Sequence, residues 1–253
     1  MTRSHALGPE TTFAVIGAGR LGTVLAPALR AAGFTVHGPL GRGETVRADI
    51  ALLAVPDAAI ADAAAAAHGF ARRVGHLSGA TSLDAVDFRL HPLQTFTGVE
   101  GPDAFRGIGA AVAGRTSADE HLAADIATAL GARAFPLDDA RRGEYHAAAS
   151  FASNFVLTVL DAAEQLAGAS GVRGSRELLA PLILQTVENW RSAGATQALT
   201  GPIARGDEET VARQRAASAS ADLGDLFDAL AAATRTIAAR SAQHPPTDRE
   251  TAA

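Results

Sequence analysis

The 253 residues are 47% apolar and carry a net charge of −5. That is enough apolar material for one large domain or two modest ones, and too little positive charge for a nucleic-acid or anionic-lipid surface. There are no cysteines, which excludes disulfides, thiolate metal sites and cysteine nucleophiles, and all 22 basic residues are arginine, which excludes a lysine acid, base or Schiff base.

The polar start, Met1 to Glu10, is too short for a signal peptide, and no stretch approaches the roughly 18 apolar residues of a membrane span. A cytoplasmic protein is expected. Phe13 to Gly17 reads as a first strand ending in glycines, and Arg20 to Ala32 as a helix stopped at Gly33. Phe34–His37 is a second strand. Asp49–Val55 is a third, continuous and apolar as a strand buried on both faces should be. Pro56 and Asp57 stop it, and an alanine-rich helix runs to about Ala67. Arg73–Leu77 is a fourth strand, with further strands near Phe88–Leu90, Gly109–Ala113 and Ala134–Pro136 and a helix from about Ala118 to Leu130. This alternation predicts an α/β Rossmann domain with a parallel, doubly wound sheet over 1–138.

Strand signals cease after Asp138, and 139–253 reads as an all-α domain. Its predicted helices are Arg142–Ala167, Arg176–Ser192 with first turns made irregular by Pro181, Asp207–Ser218 and Leu223–Ser241. The tail from about 243 is expected to be disordered.

Gly17-Ala18-Gly19-Arg20-Leu21-Gly22 is a G-x-G-x-x-G between a strand and a helix, the context in which the pattern binds a dinucleotide. Gly17 permits the tight turn, Gly19 lets a pyrophosphate approach the backbone, and Gly22 lets the helix pack on the strand. The helix N-terminus offers free N–H groups and a positive dipole end. Where an NAD-preferring site places a carboxylate, this chain has His37-Gly38-Pro39, followed by Arg42. An arginine there can pair with a 2′-phosphate, so NADP(H) is the expected cofactor. Val55 and Pro56 should lie under it. Ser78 and Gly79 follow the fourth strand, where His76 should border the nicotinamide.

His91 and Gln94, in the polar run after the next strand, are candidate substrate ligands. His146, Ser150 and Asn154 are spaced i, i+4, i+8 on the first long helix of the second half, so they should share one face. That face meets either solvent or the interdomain cleft. In a cleft His146 would protonate an alkoxide, with Ser150 and Asn154 holding the oxygen. Thr200 and Arg205 lie in the loop Leu199–Asp207, where Arg205 is a candidate fork for a carboxylate and Asp207 a helix cap. No spacing suggests a metal site.

The glycine loop, Leu-Ser-Gly-Ala (77–80), His-Pro-Leu-Gln-Thr-Phe (91–96), Tyr-His-Ala-Ala-Ala-Ser-Phe-Ala-Ser-Asn (145–154) and Leu-Thr-Gly-Pro-Ile-Ala-Arg-Gly-Asp (199–207) together resemble the Rossmann-like family carrying domain of unknown function 2520. That family is similar to pyrroline-5-carboxylate reductase, ketopantoate reductase, the 3-hydroxyacid dehydrogenases and the deazaflavin-dependent NADP reductases. Its helical half resembles the C-terminal domain of 6-phosphogluconate dehydrogenase. The resemblance implies an NADP-linked reduction and a homodimer joined through the helical domains, with no nucleic-acid or membrane partner. Ketopantoate, a small carboxylate, is the leading substrate it suggests. The hydroxyacid dehydrogenases and the usual ketopantoate reductases place a lysine on the helix where this chain has His146, Ser150 and Asn154. Reduction of an imine, exchange with a deazaflavin, and a non-enzymatic dinucleotide-binding regulator are therefore kept as alternatives.

Overall fold

The computed structural model describes residues 7, 8 and 10–243, so the tail expected beyond Gln243 lies outside the described residues. The chain divides into two compact units, Met1–Ser153 and Asn154–Ala253. The division falls later than the composition shift at 138, because the first helix after it belongs to the sheet-bearing unit.

The first unit is built on seven strands: β1 (Thr12–Ile16), β2 (Thr35–Leu40), β3 (Ala48–Leu53), β4 (Ala71–His76), β5 (Phe88–Leu93), β6 (Gly109–Gly114) and β7 (Arg133–Pro136). Its helices are α1 (Arg20–Ala31), α2 (Ile60–Ala67), α3 (Ser117–Ala129) and α4 (Arg142–Ala152). The sheet order is β2-β1-β3-β4-β5-β6-β7. Strand order reverses at β1, which has β2 on one side and β3 on the other, and ligands settle in such a crevice.

One expectation is corrected: the sheet is not parallel throughout, since β5 and β6 pair antiparallel. A parallel return needs a crossover element. The segment between β5 and β6 carries only the 3-10 turn Pro102–Phe105, so β6 comes back alongside β5 in the opposite sense.

Alternation along the strands separates two cores. Phe13, Val15, Ile50, Leu52, Phe88 and Leu90 pack with Leu25 and Leu29 of α1 and Ile126 of α3. Ala14, Ala51, Leu53 and Val74 pack with Ile60 and Ala64 of α2. On that second face the last residue of β4, His76, pairs with Arg89 near the start of β5, and both polar side chains are fully buried.

The predicted helix over 142–167 is broken. α4 stops at Ala152, Ser153 has non-helical angles (φ −132°, ψ −75°), and its hydroxyl donates to the Ala149 carbonyl at 2.7 Å. Such back-bonding of serine competes with helix continuation.

The second unit comprises α5 (Asn154–Ala169), α6 (Ser175–Ala198), α7 (Pro202–Arg205), α8 (Glu208–Ala219) and α9 (Gly224–Gln243). Pro181 is accommodated inside α6, whose non-helical residue is instead Gly194 (φ 75°, ψ 167°). Arg176–Glu164 ties α6 to α5, and Arg215–Asp228 and Arg235–Glu208 tie α8 to α9. These pairs are exposed, and water screens them to a small contribution. Ala162, Val211 and Ala231 are the buried apolar residues recorded in this unit, while Leu182, Leu184 and Trp190 of α6 are 64%, 70% and 60% exposed. Among the described residues no helix is long and apolar enough to cross a membrane.

Candidate active site

The glycine loop joins β1 to α1 at the point where strand order reverses. Gly17 has φ 111°, and a Cβ on it would stand 2.3 Å from the Ala54 carbonyl oxygen. A Cβ on Gly22 would stand 1.8 Å from the Gly17 oxygen. These two glycines fix the loop itself. Gly19 differs: a Cβ there would meet nothing within 4 Å. The space over Gly19 is what a pyrophosphate needs. Gly19 caps α1 without a side-chain bond, and the first turn holds no acidic residue, so the helix's positive end is left without an acid of its own.

A groove of about 610 Å³ runs from this loop, lined by Gly17, Ala18, Arg42, Glu44, Val55 and Pro56 among others. Arg42 is exposed at its rim. The end of the second strand carries no carboxylate, but Glu44 folds back just beyond it. Its Oε2 accepts the Gly41 N–H at 2.6 Å. The G-R-G-E spacing, a glycine turn with an acid at its far side, was the signal for it. Asp62 of α2 also lines the groove, so Arg42 shares it with two carboxylates.

The second cluster lies where β4 ends beside β5, and His91, expected in the run after that strand, sits within it. His76 is structural: its Nε2 lies 3.1 Å from the Ser82 carbonyl, and its Nδ1 accepts the Ser78 N–H at 3.2 Å. Burial holds its pKa below the usual histidine value, so it stays neutral. The Ser78 hydroxyl accepts the N–H groups of Ala80 and Thr81, which shapes the turn beside it. Gly79 admits the His91 ring, whose Cε1 and Nε2 would stand 2.9 Å from a Cβ at that position.

His91 Nδ1 lies 2.7 Å from the hydroxyl oxygen of Tyr145, the single tyrosine of the chain. The His146 ring approaches His91 edge-on, with centroids 6.5 Å apart. Burial, then the neighbouring His146 and Arg89, push the His91 pKa down to about 4. Burial raises Tyr145 to about 12, against a lowering pull from Arg89. Both groups are neutral at ordinary pH.

What holds them is a partly buried lattice of ion pairs. Arg89, on the same strand face as His91, donates from Nη1 to Asp139 Oδ1 at 2.9 Å and from Nη2 to the Leu137 carbonyl at 3.3 Å. The other Asp139 oxygen accepts from Arg142 Nη1 at 2.8 Å, and Arg142 Nε donates to the Ala80 carbonyl at 3.0 Å. The first turn of α4 is thereby tied to both β5 and the loop after β4. Tyr145 and Arg89 were not singled out from the sequence. Arg89 and His91 at i, i+2 on a strand, facing away from Phe88 and Leu90, carried that signal.

The remaining expected residues are placed as follows. Gln94 is exposed and turns its Oε1 to the Thr95 N–H at 2.9 Å. Gly98 packs on Arg20, a Cβ there falling 3.3 Å from Arg20 Cα, so the loop after β5 reaches the glycine loop. Leu21, next to Arg20, is half-buried against the first core. Ser150 is half-buried on α4, but the i, i+8 step to Asn154 crosses the break at Ser153, so the three-residue stripe is not continuous. Asn154, Thr200 and Arg205 belong to the helical unit. There Thr200 and Arg205 are exposed, and Asp207 caps α8 as expected, accepting the Thr210 N–H at 3.1 Å. Among the described residues no group of three or more His, Asp or Glu could hold a metal.

A family model described as Domain of unknown function (DUF2520) matches residues 108–234, half of the chain. No curated protein matches the sequence. Among solved structures, protein BF3122 from Bacteroides fragilis, which carries a provisional NADP oxidoreductase name, superposes with a TM-score of 0.76 at 22% identity, covering 90% of this chain and 99% of its own. Protein TM1727 from Thermotoga maritima gives 0.73 at 20% identity, with 91% and 99% covered. Pyrroline carboxylate reductase from Plasmodium falciparum, with NADP bound, gives 0.57 at 11% identity, with 90% and 98% covered. These likenesses establish a shared fold.

Proposed function

Because the chain belongs to the DUF2520 family, whose description names no activity, we propose from its own residues that it is an NADP(H)-dependent oxidoreductase. The observation that carries this reading is the glycine loop: Gly17 and Gly22 are closed by the backbone around them, and Gly19 alone opens onto space at the head of α1. The shared fold with BF3122 and with the NADP-bound Plasmodium enzyme supports it.

The residues fit the cofactor. Gly17 to Gly22 would hold the pyrophosphate, Val55 and Pro56 would back the groove, and Arg42 would face a 2′-phosphate. Bound NADPH supplies a hydride. The protein must then place an acceptor carbon beside it and give a proton to the oxygen. His91, which lies within β5 rather than after it, and Tyr145 and His146 of α4 are the polar groups suited to that task.

A small oxo acid is the substrate class we assign, with ketopantoate tried first. The absence of lysine gives one specific ground for a second reading, reduction of an imine that arrives already protonated. Deazaflavin exchange and a regulatory role without turnover remain as outcomes of the test. NADPH oxidation should be followed against ketopantoate, other 2-oxo and 3-oxo acids and pyrroline carboxylates, with NADH in parallel. Turnover of an oxo acid supports the first reading. Turnover of pyrroline carboxylates alone supports the second, and binding without turnover of any supports the last two.

For assembly we propose a homodimer joined through the helical unit. Its support is the exposed apolar side chains of α5 and α6: Leu157, Leu182, Leu184 and Trp190 are all more than half exposed. So many large apolar side chains left in water on two neighbouring helices favour an interface.

A further inference from the structure

We propose that Tyr145 is the proton donor of the reaction and that His91 is the residue that positions it. This rests on the reductase reading above and names the group that serves the substrate oxygen. A donor needs a proton held at ordinary pH, a fixed position, and something to stabilise the anion left behind.

Tyr145 is half-buried and its hydroxyl is fixed at 2.7 Å from His91 Nδ1. The His91 ring is itself fixed against Gly79, where any side chain would collide with it. Tyr145 sits on the first turn of α4, which Asp139 and Arg142 bind to β5 and to the Ala80 carbonyl. The fully buried Arg89 guanidinium beneath the pair is the charge that favours a tyrosinate. The groups facing Tyr145 and His91 are Arg89 and His76 from the sheet, Asp57 from the loop after β3, Asp139 from the turn before α4, and Arg142 and His146 from α4. His146 is exposed and meets His91 only edge-on, so it lacks the fixed hydrogen bond that Tyr145 has.

The step balances as follows. Hydride from the dihydronicotinamide forms a C–H bond at the carbonyl carbon, and the C=O π pair moves to oxygen. The Tyr145 O–H bond breaks and its proton passes to that oxygen. His91, neutral with a proton on Nδ1, donates to the tyrosinate, which recovers a proton from solvent.

The chain's single tyrosine makes the pair readable without cofactor, since tyrosinate ultraviolet absorbance reports Tyr145 alone. Through about pH 10, where an exposed tyrosine is half ionised, the folded wild type should show no tyrosinate, because burial keeps the hydroxyl protonated. Tyr145→Phe should bind NADPH as the wild type does and reduce the oxo acid on the order of 10²–10⁴-fold more slowly in kcat. His91→Gln should lose kcat with little change in KM. An ordinary tyrosine titration in the wild type would overturn the assignment. So would a Tyr145→Phe variant that binds NADPH and keeps the wild-type rate. Absence of NADPH binding in the wild type would instead overturn the reductase reading, and this assignment with it.

Discussion

Asp139 bridges two arginines, taking Arg89 Nη1 on one oxygen at 2.9 Å and Arg142 Nη1 on the other at 2.8 Å. Arg89 is wholly buried and Asp139 only partly so, which makes the carboxylate the group that permits the buried charge. Removing the carboxylate leaves the buried Arg89 charge uncompensated, whereas removing Arg89 leaves Asp139 partly exposed and still paired with Arg142. Asp139→Asn should therefore destabilise the protein by about 3 kcal/mol, and Arg89→Met by clearly less. Urea unfolding of the two variants checks the order. Equal losses would show that Arg89 is not held as a charge.

His91 gives a pH dependence with a definite sign. Its folded pKa, about 4, lies below the ordinary 6.5 because burial and the nearby His146 and Arg89 disfavour the imidazolium. Between those two values the unfolded chain binds more protons than the folded one. Stability is thus fully present above pH 6.5 and falls as the pH drops toward 4. Buried His76 acts in the same direction. Thermal midpoints measured across that window should fall less steeply in His91→Gln than in the wild type.

Two glycines of one loop should respond in opposite ways. Gly22→Ala places a methyl 1.8 Å from the Gly17 oxygen and should cost stability, since backbone must move. Gly19→Ala meets nothing and should leave the thermal midpoint unchanged. The methyl then occupies the space assigned to the pyrophosphate, so the loss should appear in dinucleotide binding alone.

The strand–helix alternation was legible because periodicity is local: all seven strands and the glycine loop lie where the pattern put them, within a few residues. The antiparallel β5–β6 pair was not, because nothing between Gln94 and Ile108 states the direction of return except the lack of a crossover helix. The break at Ser153 was hidden too, since serine is an ordinary surface helix residue until its hydroxyl turns back to Ala149. His91 was visible as a candidate, but its partner was not. The 2.7 Å bond to Tyr145 joins residues 54 apart, and only the tertiary tie through Asp139 and Arg142 creates it.

Arg42 and Glu44 oppose each other at the groove rim. Arg42→Ala should weaken NADPH binding about tenfold, the worth of one charge-assisted hydrogen bond, and leave NADH binding nearly unchanged. Glu44→Gln should do the reverse for NADPH, removing a repulsion against the 2′-phosphate. Fluorescence titrations of both dinucleotides check the pair together.

The helical unit supplies a prediction on assembly. Leu182 and Trp190 stand on the exposed apolar face of α6. If that face is covered by a second copy, Leu182→Asp should convert a dimer to a monomer in sedimentation analysis without unfolding the sheet-bearing unit. A wild-type monomer at all concentrations would remove the proposal.

The central claim is that this loop binds a nicotinamide dinucleotide, and calorimetric titration of the wild type and Gly19→Ala with NADPH tests it most directly. The account predicts saturable binding to the wild type and at least a tenfold weaker Kd for the variant, about 1.4 kcal/mol, at equal thermal stability. A folded wild type that takes up neither NADPH nor NADH would contradict it.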